Sequence, residues 1–198
     1  MSRLGAQKKL FDTPESLANG LVYRPDFITE REEERILNMI GTLPMEHARF
    51  GEYTSKRRIA AFGWGYDEEN ERFIRGEALP EFLESLAKKI AKWLDIPRFR
   101  VVEALINEYE PGTQLGWHRD REAFEHIVGV SLGGWARMRF RPLPLSKKKN
   151  DILSLELEAR SAYIMQGDIR WRWQHSVAET RTHRWSITFR TLPKNIKP

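Results

Sequence analysis

The sequence predicts an α+β protein that is mainly β, with helices in its N-terminal half and strands in its C-terminal half. Two amphipathic patterns of helical period occur before residue 97. After that residue, short segments rich in β-branched and aromatic side chains alternate with turn residues. With 198 residues, of which 40% are hydrophobic, the chain is long enough for one domain with its own core. Strands at this spacing are typical of a sandwich, a barrel or a jelly roll.

The N-terminal half is predicted to contain a short strand, a helix, a strand interrupted by glycines and a second helix. The short strand is LVYRPDF at 21–27. Thr29 and Glu32 have the spacing of a capping box, which starts a helix that continues through ILNMI. RRIAAFGWGY at 57–66 reads as a strand that glycines break. In PEFLESLAKKIAKWL at 80–94, the proline suits a first helical turn and the apolar residues share one face.

Seven segments of the C-terminal half are predicted strands. They are, in chain order, RVVEALINEYE, HIVGVSLGG, ARMRFRP, DILSLELEA, SAYIMQGD, IRWRWQHSV and RWSITFRTL. The lysine-rich stretch PLPLSKKKND at 142–151 is predicted to be a mobile loop. Residues 1–20 show no sustained periodicity and are predicted to be an N-terminal arm. The remainder, 21–198, is predicted to be a single domain in which the two helices pack outside the strands.

Composition and charge exclude several classes of protein. The chain has no cysteine, which excludes disulfides, thiolate zinc sites and a cysteine nucleophile. It has no apolar run long enough to span a membrane and no apolar signal-peptide core, so a cytoplasmic location without a membrane partner is expected. The net charge of +5, from 33 Lys and Arg against 28 Asp and Glu, attracts polyanions such as nucleic acids. Exposed members among the seven tryptophans could stack on bases, although most are expected in the core.

The segment QLGWHRDRE contains a histidine and an aspartate two residues apart. On a strand, residues i and i+2 point to the same side, so His118 and Asp120 would direct an imidazole and a carboxylate to one point. Two histidines and one carboxylate form the facial triad of non-haem Fe(II) sites. Alternation in IRWRWQHSV directs His175 to the apolar, interior side together with Trp171 and Trp173. Taken separately, H-x-D also occurs in ordinary polar turns, and a buried histidine is more often a hydrogen-bonded core residue.

The segment RWSITFR adds a polar face to a predicted strand. Arg184 and Arg190 are six residues apart and point to the same side, together with Ser186 and Thr188. Four polar side chains facing a closed core would be costly unless an anion were bound there. A dicarboxylate such as 2-oxoglutarate offers acceptors that guanidinium groups bind in a bidentate manner. The joint occurrence of this face with the histidines and the aspartate therefore favours a metal site with an anionic co-substrate.

Five motifs occur together in one order along the chain. They are N-x-Y-x-x-G in NEYEPG, H-x-D in HRD, VSLG at 130–133, the segment ARSAYIMQGDIRWRWQH, and the two arginines that bound RWSITFR. With these motifs the chain resembles the AlkB family of Fe(II)/2-oxoglutarate-dependent dioxygenases over about residues 100–192. The resemblance implies a double-stranded β-helix, a jelly-roll variant, at 98–192. Residues 21–97 would then be an N-terminal extension that supplies the outer helices and a nucleotide-recognition lid.

The resemblance also implies a set of cofactors and the residues that bind them. The cofactors are Fe(II), 2-oxoglutarate as co-substrate, and O2. The implied iron ligands are His118, Asp120 and His175. The implied 2-oxoglutarate residues are Asn107, Tyr109, Arg184, Ser186 and Arg190. Within this set, Arg184 and Tyr109 would bind the distal carboxylate, and Arg190 and Asn107 would lie near the carboxylate that chelates the metal.

The activity implied by the resemblance is oxidative demethylation of N-alkylated nucleobases. An N-methyl group is hydroxylated and then leaves as formaldehyde, while the co-substrate yields succinate and CO2. The implied substrates are lesions of the 1-methyladenine and 3-methylcytosine type in alkylated DNA or RNA, with DNA repair as the leading role and a monomer as the acting form. A methyl group inside a duplex is reached only if the nucleotide is flipped out or the substrate is single-stranded.

Four residues outside the iron site are expected to contact the nucleic acid. Trp64 and Tyr66 match the position of the family's lid, and core packing is their alternative role. Glu122 matches an acidic position that contacts the target base and would attract a cationic lesion, unless it is a solvated turn charge. Arg141 and the lysines of the 142–151 loop are natural phosphate contacts, unless they form a merely solvated basic surface.

Three other interpretations of the sequence stay open. The N-terminal half, with GLVYRPDFITEREEERI and KRRIAAFGWGYD, also resembles AlkB relatives that act on transfer RNA or on proteins. A jelly roll without catalysis that only binds nucleic acid is the second, although every ligand position is present. A hydroxylase of small molecules is the third, and the basic charge would then be incidental.

Overall fold

The computed structural model describes residues 20–50, 52–144 and 152–196. The predicted arm, apart from its last residue, lies outside the described residues, and so does most of the predicted 142–151 loop. The strands are Leu21–Arg24 (β1), Glu46–Phe50 (β2), Tyr53–Asp67 (β3), Arg72–Arg75 (β4), Val101–Tyr109 (β5), Leu115–His118 (β6), Ile127–Leu132 (β7), Ala136–Pro142 (β8), Leu153–Leu157 (β9), Ala162–Met165 (β10), Trp173–Val177 (β11) and Arg184–Thr191 (β12). The helices are Glu30–Ile40 (α1), Glu81–Leu94 (α2) and Gly167–Trp171 (α3), and a 3-10 turn occupies Arg98–Arg100.

The strands form two antiparallel sheets, which confirms the mainly β prediction. The larger sheet has the strand order β1-β10-β7-β12-β5-β3-β2, and β4 adds to β3 to make eight strands. The smaller sheet has four strands in the order β6-β11-β8-β9. Neighbouring strands come mostly from distant parts of the sequence, as where β12 lies between β5 and β7. Two such interleaved antiparallel sheets form a double-stranded β-helix, the jelly-roll variant that the sequence predicts.

Both long helices form for the reasons that the sequence indicates. The backbone N–H of Thr29 donates to the Glu32 carboxylate at 2.7 Å, and the N–H of Glu32 donates to the Thr29 hydroxyl at 3.2 Å, so the predicted capping box is confirmed. Helix α2 begins at Glu81, which makes Pro80 its N-cap rather than a residue of its first turn. In the described part of the chain, no helix combines the length and the apolar character that crossing a membrane requires.

Two hydrophobic cores lie on opposite faces of the larger sheet. The core under the long helices includes Leu83, Leu86, Ile90, Ile106, Ile187 and Phe189. The core between the sheets includes Phe124, Ile127, Met138, Phe140, Leu157 and Tyr163. Strand β12 faces both sides by alternation, because Ile187 packs under the helices while Ser186 lines a cavity between the sheets. The helices therefore pack outside the jelly roll, as predicted, and its interior contains both an apolar core and a partly polar cavity.

The predicted strand IRWRWQHSV is wrong in its first half. Residues Gly167–Trp171 form helix α3, and strand β11 begins only at Trp173. In this helix the predicted inward and outward faces are therefore exchanged. Arg170 is 3% exposed and Trp171 is 39% exposed. Burial of the arginine is possible because its guanidinium donates to three backbone carbonyls. Within β11 the alternation holds, and His175 is buried as predicted.

Strand β3 continues through the glycines at which the sequence indicates a break. Gly63 has a φ of 87°, and a Cβ atom there would lie 2.0 Å from the carbonyl oxygen of Val102. Phe62, before this glycine, packs against the core under the helices, whereas Trp64, after it, packs against the core between the sheets. Residues i and i+2 thus lie on opposite faces because the strand changes its orientation at the glycine. Tyr66 stays on the same side as Trp64.

Replacing Gly129 in β7 by alanine is expected to destabilise the protein by about 1–3 kcal/mol. A Cβ atom there would lie 2.3 Å from the ring of Tyr163, which is buried on the neighbouring strand β10. Unfolding in urea measures the effect. Gly116→Ala is the matched control, because no atom lies within 4 Å of its Cβ position. Equal stability of the two variants would contradict the prediction.

Candidate metal centre

Three donor side chains converge at one point between the sheets. His118 ends β6 and His175 lies in β11, where the two residues are paired directly opposite each other. Their ring centroids are 4.2 Å apart. Nε2 of His175 lies 3.4 Å from Oδ2 of Asp120. One ligand atom from each of the three lies within 4.8 Å of the others, which is a spacing at which all three could bind one metal ion.

Asp120 reaches this point from a loop. Strand β6 ends at His118, so the expectation that both residues lie on one strand is wrong, although their side chains converge. Nε and Nη2 of Arg190 donate to Oδ1 of Asp120 at 3.0 and 2.5 Å and thereby orient the carboxylate. Burial opposes ionisation of Asp120, but the Arg190 guanidinium outweighs it and holds the pKa of the carboxyl far below its ordinary value. Asp120 is therefore an anion at physiological pH.

Each imidazole can offer a lone pair to a metal. Nδ1 of His118 lies 2.9 Å from the carbonyl oxygen of Gly116, and a ring N–H that donates there leaves Nε2 as the ligand atom. Burial, reinforced by the neighbouring His118, lowers the pKa of His175 to about 3. His175 is thus neutral at physiological pH, and the neutral imidazole is the form that binds metals.

Arg184, the first residue of β12, forms a buried cationic site. Its side chain is 1% exposed, and its Nη1 atom is buried without a hydrogen-bond partner. Nε donates to Oγ of Ser131 at 3.2 Å, and the guanidinium lies 5.1 Å from the ring centre of Tyr109. Burial lowers the pKa of Arg184, and within the described ranges no carboxylate forms an ion pair with it. A buried guanidinium in this situation favours an anionic ligand.

The cationic site and the three donors line the same cavity. Polar residues predicted from the sequence line it, namely Asn107, Tyr109, His118, Asp120, His175, Arg184, Ser186, Thr188 and Arg190. The rest of the wall consists of Arg57, Tyr163 and apolar side chains, namely Leu105, Leu115, Ile127, Met138, Leu157 and Val177. The even-numbered face of β12 therefore points into the cavity, as alternation predicts. A polar pocket with an apolar wall is the usual form of a site for a small anionic ligand.

Arg190 and Asn107 have partners within the protein. Arg190 donates to Glu103 at 2.8 Å in addition to Asp120, and Oδ1 of Asn107 accepts from Nη1 of Arg57 at 2.7 Å. Arg190 thus supports a candidate metal ligand, and its contact with a co-substrate carboxylate stays a prediction. The sequence does not predict Arg57 as a site residue, because its place in the cavity depends on the pairing of β3 with the distant strand β5.

Trp64 and Tyr66 line a different cleft. Glu103 and Arg121 lie in the same cleft. Glu103 connects it with the metal centre, because its carboxylate pairs with Arg190, which in turn holds the aspartate ligand. Neither aromatic residue lines the cavity of the three donors. Their role as a lid over a base therefore stays a prediction.

Glu122 and Arg141 also lie outside the cavity. The side chain of Glu122 is 69% exposed and accepts a hydrogen bond from Nη2 of Arg119 at 2.9 Å. Nε of Arg141 donates to Gln174 at 2.8 Å, and its guanidinium lies 4.4 Å from the ring centre of Trp117. Both side chains are accessible from outside, so their contacts with a nucleic acid stay predictions.

Arg170 connects the two segments that carry the candidate ligands, and the sequence analysis misses it. It lies in α3, just before the strand of His175. Its guanidinium donates to the carbonyl oxygens of Asp120, Arg121 and Phe124 at 3.3, 2.6 and 2.8 Å. A side chain that binds backbone carbonyls some 50 residues away leaves no pattern in the sequence.

Replacing Arg170 by methionine is expected to weaken metal binding by about 10–100-fold, as for other residues that orient ligands. Methionine fills part of the same space but cannot donate, so the loop of Asp120 loses its three anchoring hydrogen bonds. Anaerobic titration with Fe(II) measures the affinity. Arg172→Met is the matched control, because the Arg172 side chain, at the C-cap of α3, is 74% exposed. Wild-type affinity in Arg170→Met would exclude this supporting role.

A second group of donors consists of Glu108, Glu110 and His183. Nε2 of His183 lies 2.9 Å from Glu108 and 3.8 Å from Glu110. Oε2 of Glu108 lies 2.6 Å from Nε of Arg58, so the charge of its carboxylate is already balanced. We interpret this group as a cluster of ion pairs.

Comparison with protein families identifies the kind of site that His118, Asp120 and His175 form. The model of the 2OG-Fe(II) oxygenase superfamily matches residues 20–190. The chain belongs to this superfamily. It is therefore a dioxygenase that uses Fe(II), 2-oxoglutarate and O2, and His118, Asp120 and His175 are its candidate facial triad.

Similar proteins place this oxygenase in the AlkB family. It is 28% identical over 202 residues to the uncharacterized protein L905 of Acanthamoeba polyphaga mimivirus, with 89% of this chain and 86% of that one covered. It is 27% identical to the probable RNA/DNA demethylase ALKBH6 of Danio rerio, over 78% of this chain and 68% of the relative. It is 30% identical to the alpha-ketoglutarate-dependent dioxygenase AlkB of Escherichia coli K12, over 59% of this chain and 57% of the relative.

A solved structure agrees on the fold. The structure of OsALKBH1 superposes with a TM-score of 0.67 at 16% sequence identity, covering 87% of this chain and 96% of that chain. At this identity the similarity concerns the jelly-roll architecture alone.

Proposed function

We propose that this AlkB-family dioxygenase removes N-methyl groups from nucleobases, with alkylated DNA as its leading substrate and DNA repair as its role. The proposed lesions are of the 1-methyladenine and 3-methylcytosine type. The names of two relatives support the proposal. They are the probable RNA/DNA demethylase ALKBH6 and the alkylated DNA repair protein ALKBH8 homolog of Arabidopsis thaliana. The net charge of +5 also favours a polyanionic substrate.

The observation that carries the proposal is one cavity that holds both a His–Asp–His donor set and a buried guanidinium with which no carboxylate of the described residues forms an ion pair. The donor set fits Fe(II), because two imidazoles and one carboxylate on one side leave positions for other ligands. His118, Asp120 and His175 would hold the iron. Arg184, stacked on Tyr109, would bind the distal carboxylate of 2-oxoglutarate.

The residues of the chain orient and isolate the reaction. When bound, iron, 2-oxoglutarate and O2 supply the oxidising chemistry that hydroxylates the methyl group and yields succinate and CO2. Arg190 keeps the Asp120 carboxylate ionised and directed toward the metal position. Leu115, Met138 and Val177 exclude water from one side of the cavity. The hydroxylated methyl group then leaves as formaldehyde and releases the unmodified base.

Recognition of the target base is proposed for side chains that lie outside the cavity of the three donors. Trp64 and Tyr66 offer rings on which a flipped base can stack. Glu122 offers an exposed carboxylate that attracts a cationic lesion, and Arg141 offers a phosphate contact.

The test uses oligonucleotides that carry one 1-methyladenine, prepared both as DNA and as RNA. With Fe(II) and 2-oxoglutarate, mass spectrometry is expected to detect loss of one CH2 unit, matched by equal amounts of succinate and formaldehyde. His118→Ala is the control, because it removes a ligand and leaves the outer surface unchanged. Formation of succinate without any change in either oligonucleotide would reject nucleobase demethylation while retaining the dioxygenase.

Transfer RNA is the second candidate substrate. The tRNA (carboxymethyluridine(34)-5-O)-methyltransferase alkbh8 of Xenopus tropicalis is 26% identical over 82% of this chain, which covers only 26% of that protein. The shared region is therefore a minor part of that enzyme. Turnover of natural transfer RNA, with no turnover of the methylated DNA oligonucleotide, would favour this second substrate.

A further inference from the structure

Two arginines lie over the ring of a tryptophan on the outer face of the smaller sheet. The guanidinium carbons of Arg139 and Arg141 lie 5.2 and 4.4 Å from the ring centre of Trp117. Trp117 precedes the ligand His118 in β6, and by strand alternation its side chain lies on the opposite face. The two arginines likewise alternate with the buried Phe140 in β8. We call these three residues the Trp117 cluster.

The charges of the Trp117 cluster have no counter-ion within the described residues. Arg139 donates to the hydroxyl of Ser176 at 3.2 Å, and Arg141 donates to the amide oxygen of Gln174 at 2.8 Å, so both partners are neutral. Arg137, two residues earlier on the same strand, differs because it pairs with Glu156 at 2.8 Å. Among the described residues, therefore, no carboxylate balances these two cations.

Side-by-side like charges are unfavourable unless an anion lies between them. The Cα atoms of residues i and i+2 on a strand are about 6.8 Å apart. Guanidiniums on two such residues face the same side and therefore repel each other. A single cation over Trp117 would suffice to shield the indole from water. The second guanidinium is therefore better explained by an anionic ligand, and the half-buried indole of Trp117 offers an aromatic surface for a planar group.

We propose that the Trp117 cluster binds single-stranded nucleic acid, with Arg139 and Arg141 on successive phosphates and Trp117 against a base. Guanidinium groups bind phosphate in a bidentate manner, and aromatic rings stack on bases of any sequence. The cluster lies behind the metal centre, on the edge strand β6 and the neighbouring part of its sheet. It therefore holds the strand beside the cavity rather than in it. This inference rests on the proposed nucleic-acid substrate and names a second surface for it.

The test measures binding of an unmodified single strand of about 16 nucleotides by fluorescence anisotropy over a range of salt concentrations. Each phosphate contact contributes about 0.7 to the slope of log K against log salt. The double variant Arg139→Gln/Arg141→Gln is expected to lose about tenfold in affinity and about 1.4 in slope. Arg137→Gln is the matched control and is expected to retain the wild-type slope, because Glu156 already balances that charge.

Trp117→Leu separates stacking from charge. It is expected to lower the affinity by about tenfold and to leave the salt slope unchanged. Circular dichroism and thermal unfolding establish that each variant is folded. Wild-type affinity and slope in the double variant would overturn the proposal, as would displacement of the strand by polyglutamate at the same charge concentration, since the surface would then be a general polyanion site.

The proposed function is tested apart from the cluster. A methylated oligonucleotide of about 4 nucleotides is too short to occupy both surfaces. Suppose that the double variant binds the longer strand as the wild type does, and that the wild type demethylates the short substrate. The binding role of the Trp117 cluster is then rejected, and the proposed function stands. Suppose instead that the double variant loses binding of the longer strand, and that the wild type does not demethylate the short substrate. The binding role of the Trp117 cluster then stands, and the proposed function fails.

Discussion

Replacing Asp120 by asparagine is expected to lower the affinity for Fe(II) by more than about 100-fold. Asp120 is the one carboxylate among the described residues that line the metal cavity, so the neutral amide removes the anionic ligand of the triad. Loss of a residue that only orients a ligand costs about 10–100-fold in metal affinity, and loss of the ligand's charge costs more. Anaerobic titration of the purified protein with Fe(II) measures the change.

The fold of Asp120→Asn is expected to persist, because Arg190 keeps its ion pair with Glu103 at 2.8 Å. Thermal unfolding of the metal-free protein tests this. Asp168→Asn is the matched control, since it makes the same chemical change at a side chain that is 54% exposed in α3. An Asp120→Asn protein that is folded and binds Fe(II) like the control would refute the triad.

Local patterns in the sequence predict the strands and the polar face of the site because both depend on alternation. In β12 the even-numbered residues line the cavity and the odd-numbered residues pack under the helices. The alternation in RWSITFR alone therefore specifies which side chains point inward. The same rule places His175 correctly within β11. The capping box at Thr29 and Glu32 is local as well, and its prediction is confirmed.

Contacts between distant segments are not predictable in this way. Arg170 is buried by carbonyl groups of the loop after β6, which no pattern around residue 170 indicates. Arg57 enters the cavity only through the pairing of β3 with β5. At Gly63 a single positive φ exchanges the two faces of β3, so Phe62 and Trp64 are separated although their spacing suggests one surface.

The charges of the cavity indicate which ligand completes it. Arg57, Arg184 and Arg190 bring three guanidiniums to its wall, against the single carboxylate of Asp120. Arg190 is balanced by Asp120 and Glu103. Arg184 is the group that lacks a carboxylate partner within the described part of the chain, and Nη1 of this residue has no hydrogen-bond partner. A dianionic co-substrate such as 2-oxoglutarate has two carboxylates. One would balance the positive charge of the iron, and the other would balance the charge of Arg184.

Replacing Arg184 by methionine is therefore expected to raise the KM for 2-oxoglutarate by at least about 30-fold, the equivalent of about 2 kcal/mol. The free energy of unfolding of the protein without ligands is expected to stay equal or to increase, because the substitution removes a buried charge that costs desolvation and lacks a carboxylate partner. Steady-state kinetics and urea unfolding measure the two quantities. This combination distinguishes a co-substrate site from a structural arginine, whose loss would lower stability.

Thermal unfolding with added 2-oxoglutarate separates these roles further. A ligand present at 100 times its Kd stabilises the folded state by about 2.7 kcal/mol, so wild-type protein with Fe(II) under anaerobic conditions should unfold at a higher temperature when 2-oxoglutarate is added. With binding at least about 30-fold weaker, Arg184→Met should gain no more than about 0.9 kcal/mol at the same concentration, whereas Arg181→Met should behave as the wild type, because Arg181 is exposed in the turn before β12. An equal rise in all three proteins would mean that Arg184 does not bind the co-substrate. The buried guanidinium would then need another anion to explain it.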